Sequence, residues 1–398
     1  MKKYTVQITF ICAILLISGL FSACQKDDNS QIQLQATKKE VVETYANIVY
    51  ASYSDSYDKA NDLLTKVNSF IATPTQANFE FCRQAWKDAR IPYGQTEGYR
   101  FYGGFIDGDN GVEGLVNSWP MDEGYIDYVE GNANAGIINN ASLFPTITKT
   151  TLTDLNGNGS ETNIATGYHA IEFLLWGQDL FANSAGQRPF TDFVSGNGST
   201  AKNQNRRREY LKVVTELLVE NLAQLKEAWQ PNSNNYRKKF TENTNYDATI
   251  GSILRGICIL SKGELAGQRM TVALTNQDQE EEHSCFSDNT HIDIQMNFKS
   301  IQNIYFGTYK TVNGQIITGK SLKDMIAAAD NAKSNTVLST FSETEKLVNA
   351  IPAPFDQAIL NDAKNNNVIA NSINKLKKLS DQIVDGAFSL KITVDTTE

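Results

Sequence analysis

The chain has 398 residues, with 36 Lys and Arg against 45 Asp and Glu, and a formal net charge of −9. An acidic balance sets nucleic acid aside as a partner and suits solubility and the attraction of cations. With 41% hydrophobic and 20% charged residues, the composition is that of a globular protein, and the length leaves room for two domains of ordinary size.

The first 23 residues read as an address. Lys2 and Lys3 precede an apolar run from Ile8 to Ile17, and Leu20-Phe21-Ser22-Ala23-Cys24 follows. That order is a signal peptide ending in small residues before a cysteine. It resembles a bacterial lipoprotein signal, which makes Cys24 the expected lipidated first residue of the mature protein. The apolar run is too short to span a bilayer as a stable helix. Residues 24–36 read as the lipidated cysteine and a polar tether. Removing the signal takes away two lysines and no acids, leaving 34 basic and 45 acidic residues. The expected location is the cell envelope, lipid-anchored at the outer membrane, with the periplasmic and surface faces both open. Beyond Cys24 the cysteines are Cys82, Cys258 and Cys285. Cys258 and Cys285 are a candidate pair, and the absence of a Cys-x-x-Cys spacing argues against a zinc–thiolate site.

Apolar spacing predicts helices over 37–71, 76–90, 93–103 and 162–176, with Pro92 expected to stop the second and Gly177 the last. Residues 104–120 read as a glycine-rich loop. The stretch 181–204, rich in Asn, Ser, Gly and Thr, reads as a domain boundary. Beyond it the spacing predicts helices over 203–229, 246–276, 291–306, 320–348 and 366–386. Asn313-Gly314 between short apolar runs predicts a small β-hairpin near 309–318. The fold class is therefore all-α, with two helical-bundle domains, 37–190 and 203–398, packed side by side.

Three stretches carry chemistry. In Gly167-Tyr168-His169-Ala170-Ile171-Glu172-Phe173, helical spacing puts His169, Glu172, Phe173 and Trp176 on one face. A carboxylate in so apolar a helix must be paired, protonated, exposed to a groove or bound to a metal. Spacing alone supports either a His–Glu latch between helices or half of a metal site, where nitrogen plus carboxylate oxygen suits iron or zinc. The two-histidine pattern of common zinc peptidases is missing. The second stretch, residues 278–293, holds Glu280, Glu281, Glu282, His283, Cys285, Asp288, His291 and Asp293, with Ser287 or Asp288 as the expected cap of the next helix. The third, residues 86–111, puts Trp86 and Arg90 on one face, Glu97 and Arg100 as i, i+3 partners, and Asp107 and Asp109 on the glycine-rich loop. Two other motifs are set aside. Residues 154–165 open like a calcium loop but place Ala165 where a bidentate glutamate is needed. Arg206-Arg207-Arg208 reads as a solvated helix start.

With these stretches together, the chain resembles the imelysin family. The family's Gly-x-His-x-x-Glu motif is matched by Gly167, His169 and Glu172, and the segments around Trp86–Phe101, Gly263–Met270 and Glu280–Asp293 also look like family segments. The resemblance implies an all-helical fold of two related bundles with the motif facing a groove between them. It also implies an envelope location and a link to iron acquisition. It implies His169 and Glu172 as metal ligands, with Glu97 and then Asp107 as the next carboxylates to reach the site. Arg90, Arg269 and Asp293 then orient those ligands, and His283 and Asp288 either join them or lock the segment closing the groove. The functional expectation is a lipoprotein that binds iron, with zinc the other candidate metal, or an iron-bearing small ligand, alongside a partner in an envelope uptake system. The alternative is a metallopeptidase with His169 and Glu172 holding the metal. The sequence leans away from an enzyme, because a third protein ligand and a dedicated base are not evident.

Overall fold

The computed structural model describes residues 4–109 and 111–397, with side chains from Gln33 onward. The signal segment and the Cys24 anchor fall where side chains lie outside the described residues. Among the described residues, no helix is long and apolar enough to cross a membrane.

Helix α1 (Tyr4–Ala72) buries Val42, Tyr45, Ala46, Val49, Tyr53, Ala60, Leu63, Val67 and Phe70. That near-helical spacing lays one apolar stripe along residues 42–70. Helix α2 (Gln76–Gly94) starts at Thr75, whose hydroxyl accepts from the Asn78 N–H. It runs two residues past Pro92, which sits inside the last turn rather than ending the helix. The predicted helix over 93–103 shrinks to a single 3-10 turn, Glu97–Tyr99. Helix α3 (Gly167–Trp176) is buried along every residue and ends at Gly177, φ +72°. Helix α4 (Gln204–Ala228) follows the polar stretch.

Helix α5 (Tyr246–Ile259) does not run on as one α-helix to 276. It continues as a π-helix over Leu260–Thr271 and then a short α-turn, Val272–Asn276. Helices α6 (Thr290–Phe306), α7 (Leu322–Ala329), α8 (Asn331–Val348), α9 (Phe355–Leu360) and α10 (Val368–Ser389) complete the chain. The single helix predicted over 320–348 is broken at Asp330, whose carboxylate caps α8 by accepting the Ala332 and Lys333 N–H groups. The hairpin is present, β1 (Thr308–Lys310) against β2 (Ile316–Thr318), with five residues between the strands.

Helix α1 packs along α2 and α4, and α3 packs on α2 and α4. Helix α10 packs on α8, the π-helix and α5. Helix α4 thus joins the first group although it follows the boundary expected from sequence, and α1 also touches α5. One contiguous apolar core runs from Val41 to Val394. The all-α expectation holds, with the small hairpin as the one named sheet among the described residues. The two groups meet where α2 and the Glu97–Tyr99 turn pack on α6, which also packs on the π-helix, and the polar residues singled out above converge there.

Three further expectations change. Arg207 is not solvated: it is fully buried, with Nε and Nη2 on the Asp127 carboxylate at 2.6 and 2.8 Å. Two charges desolvated together need this two-pronged geometry. Cys82, Cys258 and Cys285 are all free and buried. Cys258 lies against the Ser380 carbonyl of α10 rather than against Cys285. The cap of α6 is Asn289, because Ser287 is used elsewhere.

Candidate metal-linked site

The start of α3 is pinned by Asn156. Its side-chain oxygen accepts the Ala165 N–H at 2.9 Å, the Thr166 N–H at 3.2 Å and the Thr166 hydroxyl at 3.1 Å, and its amide donates to the Gly114 carbonyl at 2.7 Å. The stretch that opens like a calcium loop is a helix anchor. Gly167 follows at φ +85°, with the Val116 carbonyl oxygen 2.5 Å from where a Cβ would stand. Both the backbone angle and the space exclude a side chain there.

One turn on, His169 and Glu172 meet. His169 Nδ1 lies 3.0 Å from Glu172 Oε2. Glu172 Oε1 accepts the Ser287 N–H at 3.0 Å and the Ser287 hydroxyl at 2.6 Å. His169 Nε2 is buried without a partner. The two side chains converge, but they do not open onto a groove: His169 is 1% exposed and Glu172 0%. Burial pushes the Glu172 carboxyl up to about 8, against the pull of Ser287 and Arg90. Burial, reinforced by the Arg90 charge, pulls the His169 imidazole down to about 3. Both shifts favour a carboxylic acid beside a neutral imidazole at neutral pH. In that state the acid donates to Nδ1 and the imidazole proton sits on Nε2. If Glu172 loses its proton, Nδ1–H donates to the carboxylate and Nε2 becomes a free lone pair.

The His283 ring stands edge-on to His169, centroids 4.8 Å apart. His283 Nδ1 is 3.3 Å from Asp293 Oδ2. Asp293 accepts Arg90 Nη2 at 2.8 Å, Arg90 Nε at 3.2 Å and the Ser284 hydroxyl at 2.5 Å. Arg90 Nη1 donates to Asn117 Oδ1 at 2.6 Å, and the Asn117 amide reaches Glu97 at 3.5 Å. Glu97 accepts Arg269 Nη2 at 2.7 Å and Arg100 Nη1 at 2.9 Å. Arg269 Nη1 donates to Asn297 Oδ1 at 2.5 Å. Burial pushes both Asp293 and Glu97 up. The Arg90 charge on the first, and Arg100 with Arg269 on the second, outweigh burial and hold both well below the usual carboxylate range. Trp86 closes one side, its indole N–H on the Tyr168 carbonyl at 2.9 Å and its ring 5.4 Å from Trp176.

His169, Glu172, Trp86, Arg90, Glu97, Arg269, His283 and Asp293 are therefore joined in one buried network. Glu97 makes no hydrogen bond to His169: two arginines hold its carboxylate, and it is linked to His169 through Asn117, Arg90, Asp293 and His283. Asp107 makes none either: its carboxylate accepts the Phe101 and Gly104 N–H groups and closes its own loop. Asp288, at φ +54°, is half-buried and faces Lys87 and Asp356. Among the described residues, no group of three or more His, Cys, Asp or Glu side chains stands where one metal ion could take them. Sequence reasoning missed Ser284 and Asn117 and gave Ser287 and Asn156 other roles. The hydroxyl of Ser287 reads locally as a helix cap, and only its partner 115 positions away shows otherwise.

The peptidase family model described as Imelysin matches residues 49–383. The chain belongs to the imelysin family. The "Iron-regulated protein A" of Synechococcus elongatus is 23% identical over 349 residues, covering 85% of this chain and 82% of that protein. A crystal structure described as an iron-regulated protein A precursor from Parabacteroides distasonis superposes with a TM-score of 0.69 at 19% identity, covering 90% of this chain and 96% of that one. An imelysin-like protein from Psychrobacter arcticum gives a TM-score of 0.62 at 14% identity, covering 91% and 98%. At those identities the two structures speak for the imelysin fold alone. Gly167, His169 and Glu172 are the residues whose geometry opens this network.

Proposed function

We propose that this protein is a lipid-anchored envelope protein that binds an iron-bearing small ligand through His169 Nε2. The observation that carries the reading is the buried imidazole fixed on one nitrogen by Glu172 and left without a partner on the other. A carboxylate on the far nitrogen is the usual device for orienting a metal-binding histidine. In this reading His169 is the ligand, and Glu172 orients it and carries the proton that binding expels. Imidazole nitrogen suits iron, and zinc as the second candidate. Because no three His, Cys, Asp or Glu side chains converge among the described residues, a chelate that brings its own oxygens fits better than a bare ion. The same fact counts against a peptidase zinc, which takes three protein ligands and a water.

The iron in the name of the Synechococcus relative supports the choice of metal. Attachment through Cys24 and a partner in an envelope uptake system belong to the same proposal, resting on the signal pattern and the family. Crystals grown with ferric citrate test it. The expected result is iron within about 2.0–2.5 Å of His169 Nε2. Iron bound elsewhere, with His169 and Glu172 unmoved, would refute the reading.

A further inference from the structure

The His169–Glu172 pair is closed over by one piece of chain. In segment 282–289, Ser287 holds Glu172, the His283 ring covers His169, and the Ser284 hydroxyl holds Asp293. Phe286 packs on Phe173, centroids 5.3 Å apart, and its carbonyl accepts the Gly186 N–H at 2.9 Å. The segment joins the turn Gln279–Glu281 to α6.

At its start sits Glu282, 1% exposed, with neither carboxyl oxygen hydrogen-bonded. The groups facing it come from every element around it. Asp356 belongs to the first turn of α9, Asp288 to the segment itself and Asp179 to the chain after α3, and the Thr290 hydroxyl of α6 also faces it without completing a hydrogen bond. Asp179 and Asp356 are themselves buried. Their oxygens accept the Phe181 N–H at 3.1 Å and the Gln357 N–H at 2.6 Å. Lys87 of α2 faces Asp288, while Glu280 faces Glu123, Asp278 and Asp179. His283 is turned to Asp293 and Arg269, and His291 to Lys87 and Asp293. The Cys285 thiol lies among Glu172, Glu280, Glu282 and Glu123. The charges that act most strongly on Glu282 are all acidic.

We propose that segment 282–289 is a lid over His169 and Glu172, held shut while Glu282 is neutral and released when Glu282 ionises. A buried carboxylate without a donor, among three other acids, is strongly unfavourable, whereas the neutral acid is tolerated. Opening carries Glu282 to water and takes Ser287 off Glu172. The sign follows from the surroundings: burial first, then Asp356, raise the Glu282 carboxyl in the closed state. Closure is therefore full below the ordinary carboxyl range and weakens as pH climbs through the closed-state value, by up to about tenfold in the opening equilibrium per pH unit. The lid is independent of what His169 binds, and it supplies the entry that the sealed pair lacks.

Hydrogen–deuterium exchange of the metal-free protein tests this, with rates divided by the intrinsic chemical rate at each pH. From about pH 5.5 to 7.5, the amides of residues 284–289 should lose protection by roughly tenfold or more, while those of α4 stay unchanged. Glu282→Gln should remove that rise. Asp356→Asn, which lowers the acidity penalty on Glu282, should shrink it. If Glu282→Gln fails to fold, the wild-type series and Asp356→Asn still decide. A flat wild-type profile, or the same rise in either variant, would overturn the lid. Millimolar calcium chloride that restores protection at the higher pH in wild type would overturn the proton account in favour of a cation site.

Discussion

Replacing Arg90 by Met tests whether the network is held by charge. The guanidinium is buried and makes two hydrogen bonds to Asp293 and one to Asn117. Its carbon atoms pass the rings of Trp86, Tyr93 and Tyr168, with the guanidinium 5.1–5.7 Å from each ring centre. Methionine keeps most of that packing, so the loss is mainly electrostatic. Asp293 would keep Ser284 and Asn289 but no permanent positive charge. Stranding one member of a buried ion pair costs about 3–5 kcal/mol. Adding Asp293→Asn removes the stranded charge and should return about 1–3 kcal/mol of it. The pH dependence has a definite sign. Asp293 is held below its ordinary 3.8, with Arg90 the largest lowering influence against burial. Its contribution is present above that value and is lost as pH falls through the lower folded value. In Arg90→Met burial acts on Asp293 without its main counter-charge, so the gap to wild type should be widest where Asp293 is ionised in both proteins and narrow as pH falls through the variant's raised folded value. Urea unfolding followed by tryptophan fluorescence measures all three proteins. A loss under about 1 kcal/mol, or a double variant no more stable than Arg90→Met, would refute the reasoning.

Gly167→Ala should lower stability by roughly 1–3 kcal/mol through the positive φ and the Val116 carbonyl, read as a fall in melting temperature; no fall would mean that the α3 start can shift. Asn156→Ala should cost about 1–3 kcal/mol by the same measurement, because it frees buried donors at that helix start. Cys24→Ala should abolish labelling by a radioactive fatty acid and release the protein from the membrane fraction; retained label would place the anchor elsewhere.

How much of this was legible in the sequence depended on range. The α3 helix, its stop at Gly177 and the meeting of His169 with Glu172 follow from spacing over ten residues. The hairpin at Asn313-Gly314 was equally local. Pro92 misled, because a proline near the end of α2 disrupts only a turn that is already closing. Asp330 broke a predicted helix by offering its carboxylate to two amides of the next one. The π-helix over Leu260–Thr271 buries Leu260, Leu265, Ala266 and Met270 at steps that pass for an α-helical stripe, so it reads as plain α-helix although it carries Arg269 to Glu97. Arg207 and Ser287 were misplaced because their partners, Asp127 and Glu172, lie 80 and 115 positions away. The polar network was not legible for the same reason: each link joins elements that only the tertiary fold brings together.

The most direct test is a calorimetric titration of ferric citrate into the metal-free protein at about pH 7.5, in two buffers of different ionisation enthalpy. Wild type should bind and release about one proton per iron, and His169→Ala should bind at least about tenfold more weakly. His169→Ala that binds with the affinity and proton release of wild type would contradict the account.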